Sequence, residues 1–134
     1  MYNLIMSMTA LDLSPEALKR YRPHEAIRRR KSITSAELSN RRRRAMMAAR
    51  KAADLLRREF GANEVFVFGS LARRGGFTPW SDVDLAAFGI PPTRFFEAVG
   101  AVTGLSSEFK LDLIDIETCP DSLREAIETE GKSI

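Results

Sequence analysis

The sequence is poor in the residues that build covalent and nucleophilic sites. It contains one cysteine, Cys119, and one histidine, His24, among 134 residues. A lone cysteine excludes a disulfide within the chain and a cysteine-based zinc site. A lone histidine argues against a Ser-His-Asp triad and a histidine-rich metal centre. The cysteine content fits a reducing compartment, and we expect a cytoplasmic protein.

Long apolar runs and two common phosphate-binding loops are also missing. No run of 18 apolar residues occurs, so no transmembrane helix and no membrane partner are expected. The first residues carry no basic segment ahead of an apolar stretch, which argues against a signal peptide. Neither G-x-x-x-x-G-K-[ST] nor G-x-G-x-x-G is present, so a P-loop and a dinucleotide-binding loop are not supported.

Charge is divided unevenly along the chain. Residues 1–60 hold 15 Lys or Arg against 6 Asp or Glu, whereas residues 61–134 hold 6 against 12. The run NRRRRAMMAARKAADLLRREF places most of the excess on one predicted helix. Such a run is either a solvated helix face or a surface for an acidic partner or nucleic acid. Aromatic residues for base stacking are scarce there, so nucleic acid is only an indirect expectation.

Periodicity predicts an α/β (α+β) domain over residues 34–134, preceded by a helical extension over residues 1–33. A capping box at Thr34 opens a helix that runs to Phe60 and ends at Gly61. Apolar runs predict strands, and apolar spacings of three and four predict helices. The predicted order is helix, strand, strand, helix, strand, helix, which suits a small sheet flanked by helices.

Two aspartates, Asp82 and Asp84, begin the second predicted strand. Alternate strand residues project to the same face, so their carboxylates would lie side by side. Like charges at that spacing raise each other's pKa unless a cation intervenes, and Mg²⁺ is the hard cation that such oxygen ligands suit. Taken alone, the pair is better explained as two solvated surface acids, because the pattern is common.

Gly69 and Ser70 follow the first predicted strand. Glycine lets a ligand approach the backbone closely, and the start of a helix offers N–H groups to phosphate. An ordinary strand-to-helix turn would use the same residues.

A third acid, Asp112 in KLDLIDI, is expected on the polar face of the third strand, since Leu111 and Leu113 should point inward. Three carboxylates around divalent cations would suit phosphoryl or nucleotidyl transfer.

The stretches FGSLARRGGFTPWSDVDLA and KLDLIDIETCPDSLREAIETEG resemble the minimal nucleotidyltransferases (MNT) of the DNA polymerase beta superfamily. The resemblance covers roughly residues 60–134. It implies the nucleotidyltransferase fold, a small mixed sheet flanked by helices. The spacer between Gly69-Ser70 and Asp82, residues 71–81, is one residue longer than is usual in the family.

The resemblance also implies roles for residues. Asp82, Asp84 and Asp112 would be catalytic and would bind Mg²⁺. A nucleoside triphosphate would contact a second set of residues, Gly69, Ser70, Arg73 and Ser81, although Arg73 is equally well explained as a solvated arginine.

Small proteins of this family resemble antitoxins of HEPN/MNT toxin–antitoxin pairs. The resemblance therefore implies transfer of AMP from ATP to a hydroxyl, such as a tyrosine of a cognate HEPN toxin, and an assembly with that toxin or with further copies of the chain. The alternative is a non-catalytic module of the same fold that binds a partner protein or nucleic acid through its basic helices.

Overall fold

The computed structural model describes residues 33–134. These residues form three α-helices, namely α1 (Ser35–Phe60), α2 (Pro92–Thr103) and α3 (Asp121–Glu130), and four strands, namely β1 (Glu64–Phe68), β2 (Val83–Phe88), β3 (Leu111–Asp115) and β4 (Lys132–Ser133). A single 3-10 turn, Gly69–Leu71, follows β1. The helical extension predicted over residues 1–33 lies, apart from residue 33, outside this part of the chain and stays a prediction.

The strands form one mixed sheet in the order β3-β2-β1-β4. β1 runs antiparallel to β2 and to β4, whereas β2 and β3 are parallel and are joined through α2. The predicted α/β class, with a mixed sheet flanked by helices, is confirmed. β4 was not predicted, because two residues carry no apolar alternation that could mark a strand.

Helix α1 packs on one face of the sheet through small side chains. Its buried residues are mainly alanines, which let the helix backbone come close to the strands. At its end Gly61 has φ +74°, and the Ala62 N–H bonds to the Leu56 carbonyl at 3.1 Å, as expected for a glycine-terminated helix. The predicted helix and its glycine stop are confirmed.

The sheet divides the core into two layers. Alternate residues of β1 and β2, among them Val67 and Leu85, are buried in the layer beneath α1 and α2. The opposite face forms a smaller layer with α3, in which Ala86 and Ile127 are buried. No helix within residues 33–134 is long and apolar enough to cross a membrane.

Candidate active site

A sharp turn at the end of β1 forms one wall of the site. Gly69 has φ +69°, a left-handed conformation that glycine adopts without steric cost. A Cβ built on Gly69 would lie 2.5 Å from Oδ2 of Asp84. The glycine is therefore required twice, by its backbone conformation and by the carboxylate packed against it. We call Gly69–Leu71 the elbow.

The strand register brings Asp84 and Asp112 together. The two residues are direct partners in the parallel ladder between β2 and β3, where neighbouring strands lie about 4.8 Å apart. Their apolar neighbours, such as Leu85 and Leu111, are buried on the opposite face. Asp112 thus lies on the polar face beside Asp84, as its alternation predicted.

Asp82 precedes β2 and is exposed, whereas Asp84 is half-buried. The pKa of Asp84 is raised, mainly because burial disfavours its charged form. The charges of Asp112 and Asp82 raise this pKa further, and Lys110 lowers it. The three acids therefore interact electrostatically around Asp84.

Lys110 is the charged residue that balances this group of acids. Its Nζ lies 3.9 Å from Oδ1 of Asp112, and it occupies the position two residues earlier, just ahead of β3. The same alternation that exposes Asp112 exposes Lys110, so the sequence carried the signal for this neighbour. Lys110 therefore offsets part of the negative charge of the three acids.

The donor set suits Mg²⁺ in its chemistry, since three carboxylates supply the hard oxygen ligands that this ion prefers. Burial is the main cause of the raised Asp84 pKa, and a cation would relieve the charge repulsion from Asp112 and Asp82 that adds to it. Within residues 33–134, however, no three acid, histidine or cysteine side chains are gathered closely enough to form a ready metal cluster. Asp84 and Asp112 are register partners on one face, but the three carboxylates do not form a single coordination sphere.

The remaining predicted contacts of the nucleotide lie around the elbow. Ser70 is half-buried within the 3-10 turn, and Arg73 is exposed in the loop that follows it. Ser81 has a structural partner, because its Oγ accepts a hydrogen bond from the Thr78 N–H at 2.8 Å. This bond closes a turn directly ahead of Asp82 and so holds the start of β2. Contacts of Ser70, Arg73 and Ser81 with a nucleotide stay predictions.

The arginine run of α1 makes contacts inside the domain. Arg42 Nη2 donates to the Leu71 carbonyl of the elbow at 2.9 Å. Arg44 forms an ion pair with Glu108 at 2.7 Å, and Arg41 lies 4.7 Å from the centre of the Phe109 ring. Sequence alone left this run as a solvated face or a partner surface. Three of its four arginines instead fix α1 to the elbow and to the loop before β3.

Comparisons with known proteins identify the family of this chain. The family model for the polymerase beta nucleotidyltransferase domain matches residues 50–134, more than half of the chain. The chain belongs to the polymerase beta nucleotidyltransferase family. It is therefore a nucleotidyltransferase, as the sequence predicted. The matched residues include the elbow and all three aspartates.

Solved structures of similar fold come from toxin–antitoxin complexes. One, a toxin–antitoxin with AMP-PNP, has a TM-score of 0.54 and 22% identity, and the match covers 63% of this chain and 70% of that one. A mutant MntA–HpeT complex has a TM-score of 0.52 and 19% identity over the same shares. A tri-AMPylated Shewanella oneidensis HEPN toxin in complex with an MNT antitoxin has a TM-score of 0.50 and 19% identity. That match covers 66% of this chain and 70% of that one. At these identities the likeness shows the fold. No curated protein matches the chain.

Proposed function

We propose that this nucleotidyltransferase moves a nucleoside monophosphate, AMP from ATP, to a hydroxyl of a partner protein and uses Mg²⁺ to do so. The observation that carries the proposal is the register pairing of Asp84 with Asp112 beside the elbow. In this proposal the elbow, which packs against the Asp84 carboxylate, would take the phosphate chain, and the paired carboxylates would take the cation.

In this proposal the three acids divide the work. Asp82 and Asp84 would hold Mg²⁺, and Asp112 would both ligate it and accept the proton of the attacking hydroxyl. When bound, Mg²⁺ would neutralise the triphosphate and the departing pyrophosphate. The pKa of Asp84 is raised first by burial and then by the charges of Asp112 and Asp82, and a bound cation would offset the repulsion between these charges.

The proposed transfer forms one bond to phosphorus and breaks another. The acceptor oxygen forms a bond to the α-phosphorus, and the bond from that phosphorus to the α,β-bridging oxygen breaks. Pyrophosphate leaves with the electron pair, and the acceptor proton passes to the Asp112 carboxylate. The N–H groups of Gly69 and Ser70, with the Arg73 guanidinium, would hold the triphosphate in line for this attack.

A HEPN toxin is the acceptor that we propose, through a tyrosine hydroxyl, which makes the chain an antitoxin. The support is the fold shared with complexes whose names describe an AMP-PNP ligand and an AMPylated HEPN toxin. We further propose a cytoplasmic location and a complex with the toxin. The single cysteine, whose Sγ lies 3.5 Å from the Ile116 carbonyl oxygen, is compatible with a reducing compartment.

Mass spectrometry of the chain incubated with the protein of the adjacent gene, Mg²⁺ and each NTP tests the proposal directly. We expect a mass increase of one AMP on the partner. Asp112→Asn should slow this transfer by at least about 100-fold, because a carboxylate that accepts the proton contributes that much or more. Asp82→Asn should abolish it through loss of the cation.

Asp115→Asn is the matched control on the same strand. Asp115 ends β3 and accepts a hydrogen bond from the Glu117 N–H at 3.0 Å, which an asparagine can also accept. This variant should transfer AMP at the wild-type rate. Full activity in Asp112→Asn, or an equal loss in both variants, would refute the assignment of Asp112.

The non-catalytic alternative loses part of its basis in the structure. It relied on the basic helix, yet Arg41, Arg42 and Arg44 are engaged inside the domain. A binding surface on α1 would use its exposed residues, such as Arg43, Arg50 and Lys51. Replacing the whole arginine run would disturb the elbow and so would not test binding alone.

A further inference from the structure

A cavity of about 390 Å³ lies beside the elbow and is lined by Arg42, Arg74, Gly75 and Lys132. These residues come from α1, from the loop after the elbow and from β4, so the tertiary fold gathers them from distant parts of the sequence. The cavity is open to solvent, and the residues within 33–134 that line it carry three positive charges and no carboxylate.

The charged side chains that line this cavity make few contacts within residues 33–134. Arg42 uses one nitrogen on the Leu71 carbonyl. Within residues 33–134, neither Arg74 nor Lys132 makes an ion pair or a side-chain hydrogen bond with another residue. Like charges held around one cavity repel each other, and an anion between them would relieve that repulsion.

Lys132 of the cavity lies on the opposite face of the sheet from Asp84 and Asp112. Lys132 is the register partner of Val67, whose side chain is buried beneath α1. Directly paired strand residues project to the same face, so Lys132 lies on the α1 side. Asp84 and Asp112 lie on the side of α3. The carboxylates therefore do not oppose an anion in this cavity directly.

We propose that this cavity is a binding site for a multiply charged phosphate anion, distinct from the aspartate site. Two guanidinium groups and one ammonium suit phosphate oxygens, since arginine can bind them through two parallel hydrogen bonds. The anion is either free pyrophosphate or the phosphate tail of a nucleotide. Arg42 joins the site to the elbow, because the same side chain contacts the Leu71 carbonyl. The proposal does not depend on the transfer reaction.

Isothermal titration calorimetry with sodium pyrophosphate, in EDTA and at fixed ionic strength, tests the site without Mg²⁺ or catalysis. The informative variant is Arg74→Gln/Lys132→Gln, in which both residues are exposed and leave the core intact. Affinity should fall about 100-fold, because each lost charge-assisted hydrogen bond is worth roughly 10-fold. The control Arg50→Gln/Lys51→Gln removes the same charge from exposed positions of α1 and should change affinity by about 2-fold or less, given screening.

Titrations with ATP and AMP identify the source of the phosphate. If the nucleotide tail occupies the cavity, the cavity variant loses affinity for ATP as well as pyrophosphate and keeps its affinity for AMP. If free pyrophosphate is the ligand, affinity for ATP persists. An Asp84→Asn variant should still bind pyrophosphate, which separates this site from the transfer site. Absence of pyrophosphate binding in the unmodified chain, or equal losses in the two double variants, would overturn the proposal.

Discussion

Replacing Gly69 with alanine should remove activity by a larger factor than its effect on stability would suggest. An L-residue at φ +69° costs about 1–2 kcal/mol of folding free energy relative to an ordinary backbone conformation. The new Cβ would also lie 2.5 Å from Oδ2 of Asp84. A carbon and an oxygen cannot stay that close, so the carboxylate must move by roughly 0.5–1 Å.

This movement is cheap in stability, because the carboxylate is the free end of a side chain and can rotate away. It is costly in function, because a misplacement of about 1 Å in a catalytic group can slow a reaction by roughly 100-fold. We therefore expect Gly69→Ala to lose about 1–2 kcal/mol in urea unfolding and about 100-fold in AMP transfer measured by mass spectrometry.

Gly61→Ala is the matched control. Gly61 has φ +74°, but a Cβ there would meet nothing within 4 Å. It should lose a similar free energy of unfolding and keep its rate of AMP transfer. If Gly69→Ala also transfers AMP at the wild-type rate, the elbow does not position Asp84, and the reasoning fails.

Two further predictions concern stability. Leu56→Ala, at a fully buried position of α1, should lower the free energy of unfolding by about 2–5 kcal/mol. Phe96 is 88% exposed, so Phe96→Ala should change this free energy by no more than about 0.5 kcal/mol. Similar losses for the two variants in urea titrations would contradict the assigned core. Glu108→Gln should lower the melting temperature at neutral pH, because the hydrogen bond and charge of Arg44 lower the Glu108 pKa. A lowered pKa stabilises the fold at pH values above the ordinary glutamate pKa, and this stabilisation is lost as pH falls through the lowered value. The melting temperatures of the wild type and of Glu108→Gln should therefore converge in acid. A difference between them that does not depend on pH would refute the role of the ion pair.

Most helices and strands of the domain could be predicted from the sequence. The capping box at Thr34, the glycine at 61 and the apolar runs of β1 and β2 are local signals, and each depends on residues a few positions apart. The three aspartates and the Gly69-Ser70 turn were singled out from the same kind of signal, whereas the family resemblance supplied their roles and added Arg73 and Ser81. Strand alternation predicted that Asp112 would lie on a polar face, and β3 places it there.

The contacts of the arginine run and the existence of β4 could not be predicted in this way. A run of like charges on a helix has the same appearance whether it is solvated or engaged, and Arg42 and Arg44 find their partners in Leu71 and Glu108, far along the chain. β4 has two residues, and its pairing with β1 defines it.

The sequence by itself determined which acids and which glycine were available and which face of a strand each would occupy, because these follow from the two-residue repeat of a strand and the conformational freedom of glycine. Only the tertiary structure decided that Asp84 would stand opposite Asp112 and against Gly69, and that Arg42, Arg74 and Lys132 would share a cavity. Register and packing bring together segments that are separated along the chain. They are set by how whole faces bury against one another, which no short stretch of sequence encodes.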